Sequence, residues 1–274
     1  MGQDTGARVQ PLTLNAADVS LWVGRLWWPM LRVSGFVLAA PIASETVIPR
    51  LVKVILTVSL AFLMAPLVQV PAELSIFSGA GLFAAVREVL IGVAIGMVVQ
   101  LTFEALTFAG QSISLTMGLG FATLVDPQRG ANTTVLGQLF MIIGMLTYLA
   151  INGHLMLLGT LAESFQTLPI GAAHIDRNVL SSVVLWGARV FESGLLIALP
   201  AVIALVIVNL ALGVVTRASP QLNLFGIGFT ITLLCGFFVL IVGLEGVMTG
   251  VSSLILSSLA AAAELVGAPG VGVR

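Results

Sequence analysis

The chain offers few residues for catalysis, beginning with its two histidines, His154 and His174. Ser112 and His154 would form a serine–histidine dyad if two helices brought them together, as in an intramembrane serine protease. The glycine expected after such a serine is replaced by Ile113, and no second element supports the dyad. We therefore interpret His154, in its Asn-Gly-His sequence, as a residue that forms hydrogen bonds at a helix end.

Metal and nucleotide sites also lack their defining residues. The sequence has no HExxH motif, which excludes a zinc protease, and its only lysine, Lys53, follows no glycine-rich turn, which excludes a nucleotide-driven motor. Segment 118–123 lacks the third glycine of a dinucleotide-binding motif. The single cysteine, Cys235, excludes an internal disulfide and a cysteine-based metal cluster. We expect no catalytic residue, no metal and no cofactor.

Carboxylates inside apolar segments provide one further chemistry, because secondary transporters couple ions through such groups. Four glutamates qualify: Glu88, Glu104, Glu163 and Glu245. No internal repeat with paired interrupted helices, the usual sign of alternating access, accompanies them. An ion-coupled secondary transporter is the alternative function that the sequence leaves open.

The composition indicates a membrane protein. Of 274 residues, 58% are hydrophobic and 8% are charged, and the mean hydropathy is +1.13. In a typical soluble domain about a quarter of the residues are charged, so this composition nearly excludes a water-soluble enzyme. The net charge of −1 provides no basic surface for nucleic acid. We expect membrane lipid, and no nucleic acid, among the partners.

The elements that position these residues are predicted to be helices, because an unpaired backbone group in apolar surroundings costs several kcal/mol. The predicted helices span 19–42, 50–69, 80–109, 133–161, 179–215 and 219–263. Pro200 predicts a kink or break within 179–215, and 219–263 is expected to hold at least two helices. The predicted fold class is therefore an all-α membrane-type protein with kinked helices.

The predicted domain organisation is simple. Residues 1–18 form a polar N-terminal segment that lacks the apolar core and cleavage site of an export signal. Residues 19–265 form a single helical domain, and residues 266–274 form a short C-terminal tail. Arginines occur at nearly every junction, so the charge rule for cytoplasmic loops favours neither side of the membrane.

Several charged residues lie inside the apolar helices, where ionisable groups need partners. Arg25, Arg32 and Arg87 are of this kind. Arg189 and Glu192, three residues apart, are expected to form an ion pair within one helix. Either the helices pack against each other's charges, or the assembled protein does not sit in the bilayer as its hydropathy suggests.

A ridge of small and polar residues marks the helix predicted at 80–109. Its members recur at four-residue steps: Glu88, Gly92, Gly96, Gln100 and Glu104. Small residues four apart let helix backbones approach closely, and a lone pair of this kind more often serves packing within one chain. The polar ends of this ridge favour a contact between subunits or a water-facing lumen, and we predict subunit packing here. A second pair of glycines stands at 246 and 250.

The sequence changes character between residues 110 and 130, where glycines and polar residues alternate with apolar ones. This segment is too rich in glycine for a helix throughout and too apolar for a solvated loop. Irregular backbone at membrane depth is tolerated where it is packed in protein or lines a cavity. A flexible apolar loop with Met117 at its tip suits a seal, because methionine adapts to irregular gaps. A re-entrant hairpin without a gating role is the alternative to this seal, and composition alone gives the two about equal weight.

Ordered motifs give the chain a family resemblance. RVSGFVLAAP at 32–41, IPRLVK at 48–53 and EVLIG at 88–92 resemble the opening of the flagellar export-gate family FliR. The most recognisable segment is AGQSISLTMG at 109–118 with FATLVDP at 121–127. NGH at 152–154 and RASPQLNLF at 217–225 follow in the family's order, so the resemblance covers roughly residues 20–245.

The resemblance implies a non-enzymatic function. Proteins of this family assemble with several copies of FliP and FliQ into a closed-ended helical export gate, joined by FlhB and surrounded by FlhA, and unfolded flagellar substrates pass through its centre. The implied location is the flagellar basal body in the bacterial inner membrane, with much of the protein above the bilayer plane. The implied fold joins a FliP-like part to a FliQ-like part, both made of helical hairpins.

The resemblance also implies a role for the segment 110–126, which in this family plugs the closed pore. The plug residues carried over are Gly110, Ser112, Ile113, Met117, Gly118, Leu119, Gly120, Phe121, Leu124 and Asp126.

A last expectation, drawn from the residues themselves, concerns Pro220, Gln221 and Asn223. Proline breaks a helix there and the two amides can satisfy freed backbone groups, which predicts a structural turn.

Overall fold

The computed structural model describes residues 16–45, 47–69, 78–120, 134–171, 177–218 and 228–268. Over this part of the chain it contains seven α-helices, one 3₁₀ turn and no strand, which confirms the all-α fold class. The helices are α1 (Ala16–Ala39), α2 (Arg50–Met64), α3 (Gly79–Thr116), α4 (Val135–Ala150), α5 (Gly153–Thr167), α6 (Arg177–Ala218) and α7 (Phe229–Leu265). The 3₁₀ turn, Ala65–Leu67, extends α2.

Helix α3 is the centre of the fold, since α1, α4, α6 and α7 all pack against it. It begins at Ser78, whose hydroxyl accepts a hydrogen bond from the Gly81 amide at 3.0 Å. One side of it is buried, with Ile95, Val99 and Phe103 at four-residue steps, while apolar residues on the opposite side, such as Leu90, are exposed. A helix that is apolar all round needs cover on every side, and this chain covers one side of α3.

The break between α4 and α5 differs from prediction, because one helix was expected over 133–161. The two helices meet at an angle of 66°. Asn152 lies between them with a φ of 57°, the left-handed conformation that asparagine tolerates better than other non-glycine residues. His154 follows in the first turn of α5, at the predicted helix end, but its Nδ1 is buried without a hydrogen-bond partner among the described residues, so the predicted hydrogen bond through this atom is absent there.

The last two helices are continuous, which corrects two further predictions. Helix α6 runs for 42 residues through Pro200, although a break was expected there, and the Pro200 ring is exposed. Helix α7 runs for 37 residues where at least two helices were expected. In apolar surroundings a helix retains its backbone hydrogen bonds through glycines, because a broken helix would leave polar groups without partners.

Helices α6 and α7 form a long antiparallel hairpin. Residues near 209 on α6 lie beside residue 232 on α7, and residue 197 lies beside residue 250. At 1.5 Å per residue the two helices are about 63 and 55 Å long, roughly twice the thickness of a bilayer's hydrocarbon core. Four helical stretches of the described chain are long and apolar enough to span a membrane, and the bent α4–α5 pair would make a fifth.

Candidate functional site

Within the described residues, the predicted plug segment begins as helix and continues into a tight cap at residues 117–119. Helix α3 continues to Thr116, seven residues beyond its predicted end, so Gly110, Ser112 and Ile113 are helical and not part of a loop. The Gly118 amide donates to the Leu115 carbonyl and the Leu119 amide to the Ser114 carbonyl, both at 3.0 Å. This is the glycine-terminated cap of a helix, with Gly118 at a φ of 83°.

Phe121, Leu124 and Asp126 lie outside the described residues. Of the predicted plug residues, Met117, Gly118, Leu119 and Gly120 are therefore the ones that the structure places beyond the end of α3. Gly110 has a packing role, because a Cβ atom there would meet the Leu136 backbone of α4.

Met117 is fully buried in the cap of α3, although it was expected at the tip of a loop. Its side chain lies against Gly236 of α7. A Cβ atom built on Gly236 would come within 2.5–2.8 Å of three Met117 side-chain atoms, so the missing side chain of the glycine makes room for the methionine. Ile113, one turn earlier, is buried in the same cluster, which also contains Leu205 of α6.

Asn209 of α6 completes the contact. Its Nδ2 donates to the Thr116 carbonyl at 3.1 Å, and its Oδ1 lies 3.1 Å from the Thr232 hydroxyl of α7, whose single proton it shares with the Gly228 carbonyl at 3.0 Å. A carbonyl oxygen only accepts hydrogen bonds, which fixes the orientation of the amide. The Thr116 carbonyl is one of those that a helix C-terminus leaves without an intrahelical partner, and here α6 supplies one.

A cavity of about 650 Å³ adjoins this bridge, with a mainly apolar lining that includes Leu115, Leu212 and Phe229.

The sequence analysis did not identify Asn209, Thr232 and Gly236 as residues of this site. A usable signal exists for Asn209, since it is a polar residue within the charge-free run 193–216. Gly236 carries no such signal, because many glycines of this chain lie in helices.

The first part of the small-residue ridge of α3, Glu88, Gly92 and Gly96, faces α1 of its own chain and not another subunit, while subunit packing at Gln100 and Glu104 stays a prediction. A Cβ atom on Gly92 would meet the Arg32 backbone of α1, and one on Gly96 would lie 2.7 Å from the Ala40 nitrogen. Both glycines therefore allow α1 and α3 to pack with their backbones in contact. Gln100 and the exposed Glu104 lie further along the helix and are joined by a hydrogen bond of 3.2 Å.

Glu88, at the start of the ridge, forms a fully buried ion pair with Arg32, with Arg32 Nε 2.7 Å from Glu88 Oε2. The same guanidinium donates to the Ser164 carbonyl at 2.6 Å and to the Leu168 carbonyl at 2.7 Å, at the C-terminal end of α5. It also lies 4.4 Å from the centroid of the Phe165 ring. Arg32 thus ties α1, α3 and α5 together and satisfies the carbonyls that end α5.

The predicted serine–histidine dyad and the predicted ion pair within one helix do not form among the described residues. The Ser112 hydroxyl donates to the Phe108 carbonyl at 2.8 Å, while the His154 ring packs against Tyr148, so the two are not joined as a dyad. Arg189 and Glu192 form no ion pair within the described part of the chain. Among the described residues, no three histidine, cysteine or carboxylate side chains come together. The predicted turn at Pro220, Gln221 and Asn223 lies outside the described residues.

Comparison with known proteins identifies the family. Residues 23–258 match the family described as bacterial export proteins, family 1. The chain is 39% identical to the flagellar biosynthetic protein FliR of Pectobacterium carotovorum subsp. carotovorum, over 84% of its own length and 87% of that protein. It is 41% identical to FliR of Escherichia coli strain K12, over 78% and 82% of the two lengths, and 30% identical to FliR of Bacillus subtilis strain 168, over 77% and 83%. The chain belongs to bacterial export protein family 1 and is a membrane component of the flagellar export apparatus.

Proposed function

We propose that the chain is a non-enzymatic subunit of the flagellar type III protein export gate. It assembles with FliP and FliQ homologues, next to FlhB and FlhA, and forms with them the channel through which unfolded flagellar proteins pass. The assembly stands in the flagellar basal body of the bacterial inner membrane, partly above the bilayer plane.

The observation that carries this proposal is the exposed surface of the α6–α7 hairpin. Leu210, Val214, Phe238 and Ile241 are each more than 60% exposed, on helices about twice as long as the hydrocarbon core is thick. Lipid alone cannot cover apolar helices over that length, so neighbouring protein must cover the remainder. Helical partners of a membrane-embedded export apparatus fit this requirement.

Copurification tests the assembly. The tagged chain is extracted from membranes of a flagellated host, and mass spectrometry identifies the proteins that accompany it. We expect FliP and FliQ homologues, and we expect the chain expressed alone to aggregate or to be degraded. A folded, monodisperse monomer obtained without partners would contradict the proposal.

We further propose that the segment 110–126 closes the pore from the cap of α3 onward. The support is the cap within this segment: α3 ends at Thr116, Gly118 caps it, and Met117 and Leu119 lie in apolar contacts. The role is steric, since apolar side chains exclude water and an arriving chain displaces them. Phe121 and Leu124 are the residues expected to fill the pore.

Deletion of residues 121–125 tests the plug. We expect uptake of a normally impermeant small solute, with protein export retained at least in part. The matched controls are Ser112→Ala and His154→Ala, which would abolish function without a leak if the chain were a hydrolase. Glu104→Gln and Glu163→Gln would stop transport if the chain were an ion-coupled transporter. Unchanged permeability in an assembled complex would leave the segment without a plugging role.

A further inference from the structure

We propose that a groove between α6 and α7 holds one phospholipid whose headgroup carries a primary amine, as in phosphatidylethanolamine. One acyl chain lies in the apolar part of the groove, the phosphate meets Arg189 of α6, and the ammonium group meets Glu264 of α7. This inference needs only the membrane location of the chain, and it holds whether or not the segment 110–126 plugs a pore.

The groove is formed by one face of each helix. Two cavities lie between the helices, and their linings include positions 182, 186, 189, 193 and 197 of α6 and positions 246, 250, 253, 257, 261 and 264 of α7. Residues that recur at steps of three and four share one face of a helix. The two cavities therefore lie end to end along a single groove.

The larger cavity, of about 470 Å³, is the apolar part of this groove, with Leu196, Gly246 and Leu254 in its lining. The hydroxyls of Ser253 and Ser257 donate to carbonyls of their own helix at 2.9 Å, so their protons are already used. From residue 246 to residue 257 this part is about 17 Å long. That length is close to half of a hydrocarbon core about 30 Å thick, which is the depth that one acyl chain covers.

The width of the larger cavity also favours an acyl chain over a helix. Its volume over a length of about 17 Å gives a mean cross-section of about 28 Å², whereas a helix about 10 Å across has a cross-section of about 80 Å². A single extended hydrocarbon chain fits within this space, and a helix would remain outside it.

The smaller cavity, of about 260 Å³, is the polar end of the groove, near the start of α6 and the end of α7. Arg189 and Glu264 both line it, and both side chains are exposed. Neither of them forms an ion pair within the described part of the chain. One cation and one anion at the end of an apolar groove complement the phosphate and the ammonium group of a zwitterionic lipid.

Trp186 places this end of the groove at the level of lipid headgroups. Its indole lines the smaller cavity, and its Nε1 donates to the Val98 carbonyl of α3 at 3.1 Å, which fixes the ring. Tryptophan is enriched where the apolar core of a membrane meets water. Arginine can extend its charged group to the same level along its apolar stem.

The two charges distinguish among lipid headgroups. An anionic lipid such as phosphatidylglycerol would satisfy Arg189 and bring a negative charge towards Glu264. Phosphatidylcholine has both charges, but its quaternary nitrogen has no proton to donate to a carboxylate. An ammonium group donates three hydrogen bonds, so the groove selects the lipid with the primary amine.

Lipid retention tests the headgroup. The membrane complex that contains the tagged chain is exchanged into micelles with equal amounts of phosphatidylethanolamine, phosphatidylcholine and phosphatidylglycerol, and the lipids retained after repurification are quantified by mass spectrometry. We expect about two- to fivefold more phosphatidylethanolamine than either other lipid, the range for one exposed charge pair. Equal retention of the three lipids would overturn the proposal.

Substitutions at the polar end separate the two charges. Glu264→Gln should abolish the preference for phosphatidylethanolamine over phosphatidylglycerol, and Arg189→Gln should lower the retention of all three lipids, because each carries a phosphate. Glu192→Gln is the matched control, since Glu192 is exposed on α6 and lines neither cavity. A control that changes retention as much as Glu264→Gln, or no change in either groove variant, would contradict the assigned contacts.

Filling the apolar part of the groove distinguishes a lipid from a protein helix. Ser253→Leu should reduce the retained phosphatidylethanolamine severalfold while partner proteins copurify as before. Thr249→Leu is the control of matched size, because Thr249 is exposed on α7 and lies outside the groove. If Ser253→Leu instead lowers the amount of copurified partners and leaves the retained lipid unchanged, the groove holds a protein helix and the lipid proposal is wrong.

Discussion

Two pairs of glycines, each spaced four residues apart, are used in opposite ways. Gly92 and Gly96 face α1 so closely that any side chain would enter its backbone. Gly246 has no atom within 4 Å of the Cβ position, and Gly250 meets only the side chain of Ile197. The same spacing therefore closes a helix contact inside the chain in one region and leaves an open surface in the other.

The charges follow the same division. In the α1–α3 region Arg32 and Glu88 are completely buried and form an ion pair through Glu88 Oε2, while Glu88 Oε1 is buried without a hydrogen-bond partner among the described residues. Glu245 of α7, by contrast, is exposed on a helix surrounded by exposed apolar residues. The ion pair of the first region therefore lies within one chain. The middle of the α6–α7 hairpin requires lipid or protein from outside.

Replacing Arg32 should cause the largest loss of stability in the α1–α3 region, which we call the closed region. Arg32→Met keeps the unbranched apolar stem but removes the guanidinium, which leaves Glu88 buried without its partner and the Ser164 and Leu168 carbonyls without the Arg32 donor. Loss of one member of a buried pair costs about 3–5 kcal/mol. We expect the chain to disappear from membranes, as measured by its steady-state level.

Glu88→Gln provides the comparison for that variant. It retains the α5 contacts of Arg32, so its loss of stability should be smaller. Equal losses in the two variants would show that the contacts with α5 contribute little.

Gly92→Ala should have the next largest effect. Its methyl group would enter the Arg32 carbonyl, and a packed backbone cannot move away cheaply, so we expect about 1–3 kcal/mol of destabilisation. The measurement is the aggregation temperature of the detergent-solubilised complex. A change no larger than that of Gly246→Ala would contradict the difference between the two pairs.

Gly246→Leu tests the open surface. If another protein helix covers it, the bulky side chain should reduce the amount of assembled complex severalfold without lowering the level of the chain itself. The measurement is the ratio of copurified partners to the tagged chain. If lipid covers this surface, leucine should be tolerated and the ratio should stay constant.

The sequence predicted the two regions unequally. The starts of α2 and α3 were predicted within a residue, because Pro49 and the charge pattern mark them. The break at Asn152 was missed because a left-handed asparagine has no periodic signal. The break predicted at Pro200 does not occur, because a proline removes one backbone hydrogen bond, whereas a break in apolar surroundings would leave several backbone groups without partners.

The candidate site shows the same limit. Gly118 was carried over as a plug residue from the family resemblance, and in the structure it caps α3. The contact between Met117 and Gly236 joins residues 119 positions apart, and nothing in the spacing of either residue indicates the other. Partners brought together by packing of separate helices cannot be found from periodicity in one of them.

Helix α6 belongs to both regions, and this allows the smallest and most controlled comparison. A Cβ atom on Gly194 would lie 2.7 Å from the Ala105 carbonyl of α3, while one on Gly213 meets nothing within 4 Å. Gly213→Ala should raise the free energy of unfolding by about 0.5–1 kcal/mol, because alanine loses less conformational freedom in a helix. Gly194→Ala carries the same gain but must displace the α3 backbone, so its net effect should be destabilising. The aggregation temperatures of the two complexes should therefore shift in opposite directions. Shifts of the same sign would mean that both halves of α6 lie in equivalent surroundings, and that the division between a closed and an open region does not hold along this helix.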